Sequence, residues 1–142
     1  MERREGWEHW LAEFLFKRKD TPFKYGSNDC GLFVGDCVEQ ITGVDIVEEF
    51  RGKYSTKHGC YKLLKEFCGG GVAETFQKLS RSYGFHEINR NHARRGDIAL
   101  VTGQMGNAVG IVDMTGEQVA IPSKTGLIFF PMIAILKAWR VG

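Results

Sequence analysis

Near Gly84 the hydrophobic period of this chain changes, from about 3.6 residues before it to about 2 after it. That switch restricts the fold more than any other feature. Upstream, Trp7, Trp10, Leu11, Phe14 and Leu15 recur at helical spacing and fade in the charged run Lys17-Arg18-Lys19-Asp20 before Pro22. Asn28 and Asp29 offer a cap to a second helix, apolar nearly all round through Leu32, Phe33, Val34, Cys37, Val38 and Ile41, which Gly43 stops. A third helix is expected from Ser55 or Thr56, with Cys60, Leu63, Leu64, Phe67 and Cys68 on one face and Gly69-Gly70-Gly71 closing it. A fourth carries Val72, Phe76, Leu79 and Tyr83 to Gly84. Downstream, residues 97–101, 108–112 and 118–121 are short β-branched runs, joined by segments short enough for antiparallel hairpins, with Gly103 and Gly106 in the first and Thr115-Gly116 in the second. Leu127-Ile128-Phe129-Phe130 and Ala138-Trp139-Arg140-Val141 add edges around a short helix after Pro131. N-terminal helices followed by a small antiparallel sheet make an α+β architecture. With 142 residues the chain has the length of one domain, and it is read as one over 1–142.

A composition that is 43% hydrophobic supports a real core, while 19 basic against 17 acidic residues leave a formal charge of +2. So small and dispersed an excess points to neither nucleic acid nor a membrane surface. Met1-Glu2-Arg3-Arg4-Glu5 leads into Trp7-Glu8-His9-Trp10 without an apolar run, so neither a classical export signal nor a membrane span is expected. Cysteines at 30, 37, 60 and 68 match neither a paired C-x-x-C zinc pattern nor a disulfide framework. No metal or cofactor is expected, and the thiols are read as reduced, mostly small buried hydrophobes.

Cys30 is the candidate for chemistry. It opens the second helix, where the first amides point outward unpaired and their partial positive charge favours a thiolate. A cysteine hydrolase holds its nucleophile in such a place. The competing reading of Cys30 is a plain buried helix residue; Cys37, two turns on, is read as core.

A leading helix, a cysteine at the start of a buried helix and a sheet introduced by Arg95-Gly96-Asp97 is an order that resembles the NlpC-type papain-like cysteine peptidases of cell-wall turnover. Pro22-Phe23-Lys24-Tyr25-Gly26-Ser27 and Asp29-Cys30-Gly31-Leu32 look like a trimmed form of that family's N-terminal motif, and Gly96-Asp97-Ile98-Ala99 matches its first sheet motif. Its second sheet motif, His-Val-Gly-Ile, is matched by Ala108-Val109-Gly110-Ile111, with alanine in place of the catalytic histidine. The resemblance implies a papain-like fold with Cys30 as nucleophile, and implies that three supporting positions are lost. Ala108 replaces the base. The group that would orient it falls near Ala120, or at Ser123 if the hairpin shifts by a few residues, and Phe23 replaces the tyrosine of the oxyanion site, with Tyr25 two positions on. Without a base and acid such a site loses orders of magnitude in rate.

Asn28-Asp29-Cys30, the Tyr54-x-Thr56 element and the terminal Ala138-Trp139-Arg140-Val141-Gly142 look closest to an NlpC-like group of phages and prophages. That likeness implies a tail-tip or assembly protein, partnered by other phage tail proteins and located in the virion tail or, during assembly, in the host cytoplasm. The rival reading is an active endopeptidase or amidase that cuts peptidoglycan peptides with Cys30 and an unconventional base. A metal or iron–sulfur module built on the four cysteines is the third and weakest. Of the histidines, His86 and His92 are the substitute bases to test, while His9 and His58 fall on or near helix surfaces. No spacing ties any of them to Cys30, and Arg94-Arg95 reads as a solvated pair.

Overall fold

The structure is a computed structural model and describes residues 1–103 and 105–142. Helices α1 (Trp7–Arg18), α2 (Cys30–Thr42), α3 (Lys57–Cys68) and α4 (Val72–Tyr83) come first. Strands follow: β1 (His86–Ile88), β2 (Ile98–Gly103), β3 (Gly106–Val112), β4 (Gln118–Ser123), β5 (Gly126–Pro131) and β6 (Lys137–Arg140). They form one six-stranded antiparallel sheet in the order β1-β6-β2-β3-β4-β5. Short 3-10 turns cover Glu48–Phe50, Arg90–His92 and Met132–Ala134. The chain is therefore α+β. Among the described residues no helix is long and apolar enough to cross a membrane.

Local signals set the helix ends. Asp29 caps α2 by accepting the Leu32 N–H, and Gly43 closes it at φ 80°, donating its N–H to the Glu39 carbonyl. Thr56 caps α3 through the Gly59 N–H in the same way. Along α2 every residue from Leu32 to Gly35 is buried, as are Cys37, Val38 and Ile41, so the helix is enclosed by its neighbours. Gly35 has no side chain where Val47 presses in.

Both faces of the sheet are covered. Ile98, Leu100, Val109, Ile111, Ala120 and Trp139 meet the helices in the main core, and the Trp139 indole donates to the Gln77 side-chain oxygen at 3.2 Å. On the reverse face Ala99, Val101, Val112, Val119, Ile121 and Ala138 pack under Ala93 and Ile135. That is why Ile98 to Val101 is a continuous apolar run and not an alternating one. Trp7 and Trp10, whose spacing reads as core, are half-buried instead, with the guanidinium carbons of Arg3 and Arg4 stacked 4.2 and 4.5 Å from their ring centroids.

The two ends of the chain are clasped by one carboxylate. Asp97 is fully buried and accepts from Arg3 Nη2 at 2.8 Å and from Arg140 Nη2 at 3.2 Å, while Arg3 Nε donates to the Val141 carbonyl. A buried carboxylate is tolerated only with such pairing.

Candidate functional site

The loop before α2 is organised by its own side chains. The Asn28 amide donates to the carbonyls of Thr21 and Pro22, and its oxygen accepts from Arg18 Nη1. Asp29 accepts the Leu32 N–H on Oδ1, and the Gly26 N–H and the Tyr54 hydroxyl on Oδ2, at 3.0, 3.0 and 2.6 Å. Asn28-Asp29 and Tyr54-x-Thr56 are thereby accounted for: they hold the first turn of α2 against the start of α3, and Cys30 follows at a fixed place.

Cys30 opens into a cleft of about 1250 Å³. Phe23, Tyr25, Cys30 and Cys60 line its helical side, with Ala108 and Ser123 among the residues lining the sheet side. The helix start should pull the thiol toward thiolate, and the amides of Gly31 and Val109 do act that way, but loss of water at the sulfur outweighs them. The carboxylate of Asp29 pushes in the same direction as burial. The Cys30 thiol is raised from the ordinary 9.0 to about 12. Cys60, on the apolar face of α3, belongs to the same cleft; burial, with Asp29 adding, carries it to about 11, and the Tyr54 hydroxyl works against that rise. Burial also lifts Tyr25 to about 12, helped by the neighbouring Tyr61 and by both thiols, and lifts Tyr54, which donates to Asp29.

Ala108 lies on β3 opposite Val101, half-buried against the reverse-face cluster, and the Val109 amide that follows it is the backbone group directed at the Cys30 sulfur. The position of the resembled family's histidine thus borders the cleft, but its methyl group lies on the sheet face opposite the one that Val109 presents to the helices. Ala120 does not join it. It is fully buried in the helix-facing layer opposite Ile111, where the β3–β4 ladder ends, and the same register carried onward sets Ser123 level with Ala108. Ser123 is in the cleft, but its hydroxyl donates to the Gly126 carbonyl at 2.7 Å and its own carbonyl accepts the Phe23 N–H. Phe23 stacks edge-on to Tyr25 at 4.8 Å between centroids. Cys60 and Tyr61 were not legible as site residues, because both sit on a helix whose spacing announces only an apolar face.

Among the described residues none of the four histidines lines this cleft. His86 lies on β1, separated from β3 by β6 and β2, and is paired with Arg140. His92 is on the 3-10 turn beside Arg140, to which its carbonyl is bonded, His9 pairs with Glu13 on α1, and His58 is exposed on α3. All four cysteines are free thiols; Cys37 is core and Cys68 donates to the Leu64 carbonyl. No group of three or more metal-ligating side chains is assembled among the described residues.

A family model described as a domain of unknown function (DUF6950) matches residues 2–141. A comparison with curated proteins finds no match.

Proposed function

The chain belongs to the DUF6950 family, and from its cleft we propose that it is an NlpC-like, papain-like domain without hydrolytic competence, serving as a tail-tip or assembly component of a phage or prophage particle. One observation carries the loss of catalysis: the Cys30 thiol, raised to about 12, shares its cleft with Ala108 and, among the described residues, with no imidazole. Papain-type acyl transfer needs a thiolate, a base that accepts its proton and an acid that returns a proton to the leaving amine. Here the nucleophile is present as a neutral thiol, and among the described residues no imidazole lines the cleft to perform the other two steps. The particle assignment rests on the likeness of Asn28-Asp29-Cys30, Tyr54-x-Thr56 and the Ala138-Trp139-Arg140 terminus to phage and prophage sequences. Other tail proteins are the partners this reading implies.

The opposing reading, a peptidase acting on peptidoglycan peptides, has the amides of Gly31 and Val109 directed at the sulfur in its favour. Incubating the protein and its Cys30→Ala variant with muropeptides separates the two. No cleavage by either, together with normal particle assembly in the variant, is the expected result. Cleavage that disappears with Cys30 would overturn the proposal.

A further inference from the structure

Away from the cleft, a concavity of about 420 Å³ is lined by Asn91, His92, Ala93, Arg94 and Arg140. Its charge is one-sided. Asp97 is the carboxylate beside it, and that group is fully buried and shared between Arg3 and Arg140. Arg94 spends its backbone N–H on Asp97 and keeps its guanidinium exposed, with no carboxylate in ion-pair range among the described residues. Arg140 binds Asp97 and the His92 carbonyl through Nε and Nη2, which leaves Nη1 without a partner among the described residues. The crowding is felt at Arg3: after burial, Arg140 and Arg94 both act to lower it, against the pull of Asp97. Arg90 adds a further cation on the same turn, tied by Nη1 to the Ile135 carbonyl.

We propose that this concavity is a binding site for a phosphate group, held by the Arg94 and Arg140 guanidiniums with the His92 ring and the Asn91 amide as flanking donors. Guanidinium forks match tetrahedral oxyanions in geometry and bind them by paired, charge-assisted hydrogen bonds. A phosphate here supplies the negative charge that a single shared carboxylate leaves short. Two sources carry that chemistry, a soluble phosphate and a phospholipid headgroup. The neighbouring segment that bears Ile135 also presents Ile133, 91% exposed, and Leu136, 49% exposed, which gives the lipid source an apolar contact of its own. Both are independent of the Cys30 cleft.

Thermal unfolding of the full chain in inorganic phosphate, against sodium chloride at equal ionic strength, tests the site. A ligand that binds the folded state raises the midpoint, so phosphate should stabilise beyond chloride. Arg94→Gln should weaken the apparent phosphate affinity about tenfold or more, His92→Asn should weaken it less, and Lys62→Gln on α3 should leave it unchanged. Co-sedimentation with phosphatidylglycerol vesicles, set against phosphatidylcholine, assigns the source: sedimentation lost in Arg94→Gln identifies the headgroup, and a phosphate response without sedimentation identifies the soluble ion. Equal stabilisation by phosphate and chloride, or an undiminished response in both Arg94→Gln and His92→Asn, would overturn the site.

Discussion

The Tyr54 hydroxyl donates to Oδ2 of Asp29 at 2.6 Å, so the residue that caps α2 is held from the segment leading into α3. The bond joins two elements that are distant in sequence and adjacent at the cleft. Tyr54→Phe removes one of three donors from a buried carboxylate and leaves the Gly26 and Leu32 amides. A charge-assisted bond of this kind is worth about 1.5–3 kcal/mol. Urea unfolding should show a loss in that range with the slope unchanged; a loss below a few tenths would mean that the bond holds nothing in place.

Alkaline pH should destabilise the protein through its thiols. Cys30 and Cys60 are raised to about 12 and about 11 from an ordinary 9.0, so the folded state keeps their protons after the unfolded chain has released them. Their contribution is complete below the unfolded value and declines as pH climbs from about 9 toward 11 and 12. The slope is at most about 1.4 kcal/mol per pH unit for each group. Unfolding free energies measured from about pH 8 to pH 10.5 should fall, and fall less in a Cys30→Ala, Cys60→Ala double variant. Identical pH profiles for the two proteins would remove the thiols as the cause.

Installing an imidazole at position 108 tests the loss of catalysis proposed for Cys30. In Ala108→His the ring borders the cleft beside the Val109 amide that already addresses the sulfur, and has to turn from the reverse face, where the Ala108 methyl packs, to reach Cys30. Iodoacetamide labelling of Cys30 at neutral pH should rise on the order of tenfold or more, because the thiolate fraction governs the rate. The unsubstituted protein should label slowly and show no fast reaction in mildly acidic buffer. A rate unmoved by the histidine would separate position 108 from the thiol.

Two glycines should respond differently to alanine, for different reasons. A Cβ on Gly110 would meet the Ala120 carbonyl oxygen, with Ile121 Cγ1 at 2.5 Å and Val119 Cγ1 at 2.8 Å, so the β3–β4 pair has to part. Gly43 has open space but needs φ 80° to end α2. Gly110→Ala should cost about 2–3 kcal/mol, in the range of overpacked cores, and Gly43→Ala about 1 kcal/mol, the left-handed penalty alone. Denaturation midpoints in the reverse order would contradict the crowding at Gly110.

What the sequence made legible was what neighbours in the chain decide. Asp29, Thr56, Gly43 and Gly84 mark helix ends by contacts within a few residues, and the helices begin and end there. Strand β1 left no such mark, because it has three residues and its partner β6 closes the chain. The choice between Ala120 and Ser123 was likewise not local: it depends on the β3–β4 register, which pairs Ile111 with Ala120. Cys60 looked like any apolar residue of α3, and only the packing of α3 beside Asp29 puts its thiol in the cleft. Burial of Cys30 opposes its helix-end position for the same reason, since no local pattern reports how much water the sheet excludes.

The last prediction separates framework from chemistry. Phe33 is fully buried, packed against Phe14 at 5.3 Å between centroids, and Trp139 is fully buried over Phe76. Truncating either to alanine should cost about 3–5 kcal/mol, a large share of the 5–15 kcal/mol typical of a domain. Particle assembly should then fail through loss of folded protein, seen as a lowered melting midpoint and poor recovery. Cys30→Ala changes one small group whose thiol is already neutral, so its melting midpoint, assembly and infectivity should stay near those of the unsubstituted protein. If Cys30→Ala folds normally and infectivity is nevertheless abolished, the thiol does chemistry in the particle, and the structural role proposed for this domain fails.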